Sequence, residues 1–179
     1  MTEAYRLAVL VESLLFVADE PVSVGQLAGV LESTHEQIEE ALGELEATLR
    51  ERGLRLQRMG DWLQLVTAPE AAPYVERFLG LSERRRLSQA ALETLAIIAY
   101  RSPISRPEIE AIRGVNCDSV LRTLLASGLI EEVGRAPAPG RPILYAPTFA
   151  FLQHFGLQRP EDLPPPENES IPQNSTHHP

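Results

Sequence analysis

The sequence predicts a mainly α chain with small β-hairpins, an α+β fold made of two tandem copies of one unit and followed by a disordered tail. Three observations predict it. Two stretches about 80 residues apart share a pattern, capping boxes recur at matching places inside each copy, and the composition changes abruptly after Leu157.

The repeat is short but ordered. "ESLLFVADEPVS", from Glu12, matches "ETLAIIAYRSPIS", from Glu93: Leu follows Glu at two residues, Ala at six, and Pro-Val/Ile-Ser closes each. "TAPEAAPYVERFLG", from Thr67, is echoed by "YAPTFAFLQHFG", from Tyr145. Two halves that share a pattern in the same order are expected to share one fold.

In the first copy, Leu7, Leu10, Val11, Leu14, Leu15 and Ala18 fall at helical spacing, while Val9, Phe16 and Val17 add apolar surface on the other side. That helix is expected to be covered on more than one face. Ser23 with Gln26 forms a capping box for a short helix to about Val30, and Ser33 with Glu36 a second for a helix to about Glu51. After Gly53, "LRLQRM" and "WLQLVT" alternate apolar and polar residues across Gly60 and Asp61, a hairpin signal. Pro69 then suits the start of a closing helix from about Glu70 to Leu79.

The second copy follows suit. Ser88 caps a helix to about Tyr100, Ser105 with Glu108 boxes a short helix to Arg113, and Asn116 caps the next. Val120, Leu121, Leu124 and Leu125 give that helix one apolar stripe, and Gly128 ends it. "LIEEV" and "PILYA" bracket a loop from Gly134 to Arg141, and Thr148 caps a last helix to about Phe155. Three helices and a hairpin with a Gly- and Pro-rich tip make the plan of a winged helix. Residues 1–80 and 81–158 are therefore read as two winged-helix domains. Pro and polar residues dominate 159–179, which is read as a disordered, acidic tail.

Composition narrows the function classes. With 25 acidic and 16 basic residues in 179, the net charge is -9, and every basic residue is arginine. The apolar start carries Glu3 and Glu12 and lacks a small-residue cleavage site, so it reads as a buried helix in a cytoplasmic protein. No run reaches the roughly 20 apolar residues of a membrane span. A single cysteine, Cys117, suits a reducing compartment. "NES" at Asn168 and "NST" at Asn174 are chance glycosylation matches in a polar tail.

Catalysis, cofactors and metals find no support. His35, His154, His177 and His178 are not spaced as zinc ligands on a helix, and no GxGxxG or GxxxxGK[ST] phosphate cradle is present. Cys117 beside Asp118 at a helix start has no base partner in sequence, so it reads as a small inert residue rather than a nucleophile.

DNA binding depends on where the charge lies. Residues 1–80 hold six arginines against fourteen acids, and the helix that would enter a major groove carries Glu36, Glu39, Glu40, Glu44 and Glu46. Those carboxylates would repel phosphates on both sides. Residues 81–158 hold nine arginines against seven acids, but the corresponding helix offers only Asp118 and Arg122. Sequence readout is not expected from it. Weak backbone contact through Arg84 to Arg86, Arg101, Arg106, Arg113, Arg135 and Arg141 stays open. The rigid tip "PAPGRP" and the surplus apolar residues of the first helix instead suit protein partners, most simply a second copy.

"LSQAALETLAIIAY", "IRGVN", "VLRTLL", "GLIEEVGR", "GRPILY" and "FGL" occur in one order across residues 87–157, and there the chain closely resembles the segregation and condensation protein B family. Two departures are small: Cys117 stands where Ser or another small residue is usual, and Ala146 to Thr148 replaces Gly-Thr-Thr. The resemblance implies a non-catalytic accessory subunit of a bacterial condensin-like complex. It would form a homodimer through its first domain and bind the kleisin subunit, segregation and condensation protein A (ScpA). Through that kleisin it would reach the structural maintenance of chromosomes (SMC) ATPase on the nucleoid, supporting chromosome condensation and segregation during cell division. The kleisin-facing positions the resemblance implies are Arg113, Gly114, Val115, Asn116, Arg122, Gly140, Arg141 and Pro142; for the dimer the expected residues are Leu7, Leu10, Val11 and Leu14. The rival class is a dimeric winged-helix transcription regulator.

Overall fold

A computed structural model describes residues 3–80 and 87–165. The first half runs α1 (Glu3–Val17), β1 (Val22–Ser23), α2 (Val24–Val30), α3 (His35–Leu49), β2 (Leu54–Met59), β3 (Trp62–Thr67), a 3-10 turn (Pro69–Ala71) and α4 (Ala72–Phe78). The second half runs α5 (Gln89–Arg101), β4 (Ile104–Ser105), α6 (Arg106–Arg113), α7 (Asp118–Ala126), β5 (Ile130–Arg135), β6 (Ile143–Pro147) and α8 (Phe149–Phe155), ending in a 3-10 turn (Pro160–Asp162). Both antiparallel sheets have the same strand order, β1-β3-β2 and β4-β6-β5. The element order expected of each copy is thus present twice.

Local chemistry accounts for the shared ends. Ser23 and Gln26 exchange the two bonds of a capping box, at 3.2 and 2.8 Å. At the equivalent place the Glu108 carboxylate accepts from both the backbone N–H and the hydroxyl of Ser105, which holds it below the usual carboxylate range. The same serines pair with the last strand of their sheet, Ser23 with Trp62 and Ser105 with Leu144. Gly60 takes the positive φ that a two-residue hairpin loop needs.

Each half has its own buried cluster. Val11, Leu15, Leu27, Ile38, Leu42 and Leu45 lie in the first; Leu95, Ile98, Ile109, Leu121, Leu124 and Leu152 lie in the second. The face of α1 turned inward is Ala8, Val11 and Leu15, the positions filled in α5 by Ala91, Thr94 and Ile98. By letter Glu12 matches Glu93, but by buried face it matches Leu95. Burial along a helix recurs every three to four residues, so letters matched across connectors of unequal length land on different faces.

Two expectations are corrected. The box that opens α3 is Thr34 with Gln37, at 3.2 and 2.9 Å, one residue beyond Ser33 and Glu36. The Ser33 N–H is engaged with Ala28 O, closing α2 over the left-handed Glu32, which leaves Thr34 as the next free cap. The chain from 159, expected in the tail, folds back as far as 165: Arg159 pairs with Glu46, the Tyr100 hydroxyl donates to Pro164 O, and Leu163 packs on the second cluster. The rest of the expected tail, 166–179, lies outside the described residues.

The halves meet along β2. The Gln57 amide, 1% exposed, donates to Leu157 O at 2.7 Å, and the Arg58 N–H donates to Gln158 O at 2.9 Å. Met59 packs on the second cluster, and left-handed Gly156 sits where an added Cβ would lie 3.3 Å from the Pro69 ring.

Thr34→Ala is expected to lower unfolding free energy by about 1 kcal/mol in urea titrations, and Ser33→Ala by less than half as much.

Candidate functional site

The residues expected to face a partner fall on two places in the second half: the α6–α7 connection and the β5–β6 loop. Arg113 ends α6 and Gly114 closes it in the left-handed region at φ 71°. Val115 is exposed; the cap position of α7 is Cys117 and not the expected Asn116, whose side chain one residue earlier accepts the N–H of Asp118, the first helical residue, at 3.0 Å. Gly140, Arg141 and Pro142 form the tip of the hairpin. There Arg141, with its side chain exposed, holds a positive φ of 43°, its N–H donating to Ala138 O and its carbonyl accepting from Arg135 Nη1. Positive φ is uncommon for arginine, so these two bonds fix an unfavourable backbone in one shape.

The two arginines of the α6–α7 region differ in kind. Arg113 has a side chain only 10% exposed, pairs with Glu93 at 3.1 Å and reaches the Cys117 sulfur at 3.6 Å. It braces α6 against α5. Arg122 is 77% exposed and pairs with Asp118 one turn earlier. Asp118 also holds Arg106 at 2.8 Å, and Arg106 in turn holds Glu110 at 3.1 Å. Arg122 first, and Arg106 with it, keep the Asp118 carboxyl below the ordinary aspartate range, so it remains charged through neutral pH. The positive charge at the exposed start of α7 is therefore largely matched by carboxylates. Arg84 to Arg86 lie outside the described residues.

Cys117 is fully buried. Its sulfur contacts Val115 O and Arg113, and its N–H donates to Glu110, so it serves the α6–α7 turn rather than a substrate. Among the described residues there is no group of three or more His, Cys, Asp or Glu able to hold a metal ion. Nor is any helix among them long and apolar enough to cross a membrane.

In the first half the expected dimer residues are divided by burial. Val11 has no exposed surface and belongs to the core of its own half, so it is not available to a partner. Leu7 and Leu14 are partly buried against that core, and Leu10 is exposed. The open apolar face of α1 is Val9, Leu10, Phe16 and Val17. Sequence reasoning noted most of these as the surplus side of the helix but assigned contact to the inward stripe. It missed a second open face entirely, that of α4, where Tyr74, Phe78 and Leu79 are exposed. The signal was available: Tyr74 and Phe78 stand four residues apart, on one side of a helix.

The family model described as segregation and condensation complex subunit ScpB matches residues 9–166. The segregation and condensation protein B of Desulforamulus reducens is 51% identical over 158 residues, covering 87% of this chain and 87% of that one. That of Geobacillus kaustophilus is 51% identical over 159 residues, covering 87% and 73%. Among solved structures, ScpB from Mycobacterium tuberculosis is 40% identical, with 88% of this chain and 99% of that chain covered and a TM-score of 0.42.

Arg113→Ala should lower the melting temperature by roughly 3 °C or more, because it releases the α5–α6 brace. Arg122→Ala should leave it within about a degree. Thermal unfolding followed by circular dichroism separates the two.

Proposed function

The chain belongs to the ScpB family of segregation and condensation complex subunits, and from that premise we propose that it is a non-catalytic subunit that binds the kleisin ScpA as a homodimer. Through ScpA it joins the SMC ATPase in the cytoplasm, on the nucleoid, and supports chromosome condensation and segregation. Residues 1–80 form the dimerisation domain and 81–158 the partner-binding domain.

The observation that carries this reading is the pairing at the start of α7. A helix that reads DNA presents free arginine, asparagine or glutamine side chains to base edges. Here Arg106 and Arg122 converge on Asp118, and Arg113 is committed to Glu93. In the first half, α3 carries Glu36, Glu40 and Glu44 on its exposed side. Both helices disfavour a phosphate backbone, while exposed aromatic and aliphatic residues on α1 and α4 favour protein contact. Cys117 is fully buried and serves the α6–α7 turn.

Exposed Arg122 and the rigid tip at Gly140, Arg141 and Pro142 are the kleisin contacts to change first, with Val115 and Asn116 beside them. Gly114 and Arg113 act by shaping that surface.

Light-scattering chromatography of the protein, alone and mixed with the central segment of the kleisin from the same genome, tests the proposal. A dimer that shifts to a stable complex is expected, with Arg122→Glu and Arg141→Glu each weakening the complex about tenfold or more and leaving the dimer intact. A protein that ignores the kleisin but retains one particular duplex at moderate salt overturns it in favour of a transcription regulator.

A further inference from the structure

We infer that the groove between the β2–β3 hairpin tip and the outer face of the second sheet is a docking site for a basic segment of another protein, one that sets arginine or lysine beside aliphatic side chains. None of its lining residues is among the kleisin contacts proposed above, so the site is additional to them.

Both halves build it. Met59 and Trp62, which flank the hairpin turn of the first half, line a groove of about 660 Å³ with Glu131, Val133 and Phe149 of the second. Alternation turns Ile130 and Tyr145 into the core of the second half, which leaves Glu131 and its cross-strand partner Ala146 on the groove side. The seam fixes the two walls: Met59 packs on the second cluster, and the neighbouring Arg58 N–H donates to Gln158 O at 2.9 Å. The groove is therefore formed in advance, with Trp62 and Val133 each 50% exposed in it. Tryptophan is enriched among the residues that dominate protein contacts.

Charge decides the occupant. The arginines that adjoin the groove are committed: Arg58, beside Met59, donates to both oxygens of Glu39 at 2.6 and 2.7 Å, and Arg159, beside the lining residue Pro160, pairs with Glu46. The carboxylates around it are not. Glu20, Asp61, Glu131 and Glu132 are exposed and make no ion pair or side-chain hydrogen bond among the described residues. A half-exposed indole beside unpaired carboxylates attracts a cation twice, through the negative face of the ring and through charge. Aliphatic neighbours of that cation cover Val133 and Phe149. This chain does not supply such a segment at its end: 166–179 holds two glutamates and no arginine, and the whole carries a net charge of -9. The occupant is a basic stretch of a different protein.

The full-length chain reports on the groove directly, because Trp62 is its only tryptophan. Its emission is followed while a short capped peptide of alternating arginine and valine is added, with a glutamate–valine peptide of equal length and spermidine as comparisons. The expected result is a saturable blue shift with the arginine peptide alone. Its Kd should rise about fivefold between low and moderate salt, and about fivefold in the double variant Glu131→Gln, Glu132→Gln. Asp61→Asn, on the opposite wall, should weaken binding about twofold, and far-UV circular dichroism checks that both variants fold. No shift with the arginine peptide, an equal shift with the glutamate peptide, a Kd indifferent to salt, or variants that bind as tightly as the unaltered chain overturns the proposal. A response to spermidine equal to that of the arginine peptide also overturns it, because charge alone is then being attracted and no segment docks.

Discussion

The buried Gln57 amide is the contact on which the arrangement of the molecule depends. It sits on the outer side of the first sheet, accepts from Gln64 at 3.0 Å and donates to the Leu157 carbonyl at 2.7 Å. A buried amide or carbonyl without a partner costs about 1–3 kcal/mol, so the two halves satisfy each other here or both lose. The Arg58 N–H extends the bonding to Gln158, and Arg159 adds an ion pair to Glu46. The same stretch covers the outer edge of β2, which would otherwise present unpaired backbone groups to other chains.

That seam leaves the two halves with different free surfaces. On the first half, acidic α3 and the apolar faces of α1 and α4 are open, and neither favours a polyanion. On the second, arginines at the start of α7 are balanced by Asp118, Glu110 and Glu93, so that surface offers shape and a few exposed groups rather than net charge. Both kinds of surface suit the protein-binding role proposed for the chain. Membership of the ScpB family gives that arrangement its context.

Much of this was legible in the sequence where the governing interaction is local. Ser23 with Gln26, Ser105 with Glu108, Gly60 with Asp61 and Thr148 each fix an element end within four residues, and each element was found. Ser33 misled because its backbone N–H is taken by the helix before it, a bond that depends on Glu32 turning left-handed. Val11 misled because helical spacing shows that a stripe is apolar but not which of two stripes faces inward. The fold-back of 159–165 was hidden by its proline and polar composition, since its stability comes from Glu46 and Tyr100, 113 and 64 residues before their partners Arg159 and Pro164. The proposed partner-facing positions came from likeness to a family, and their division into bracing and exposed arginines needed coordinates.

Hydrogen exchange at the Arg58 amide tests the seam most directly, because that N–H faces the folded-back chain and not β3. The account predicts slow exchange at Arg58, comparable with the paired amides of the hairpin, and its loss in Gln57→Ala. Fast exchange at Arg58 in the unaltered protein, with the rest of the hairpin still protected, would show that the halves do not hold together and would contradict it.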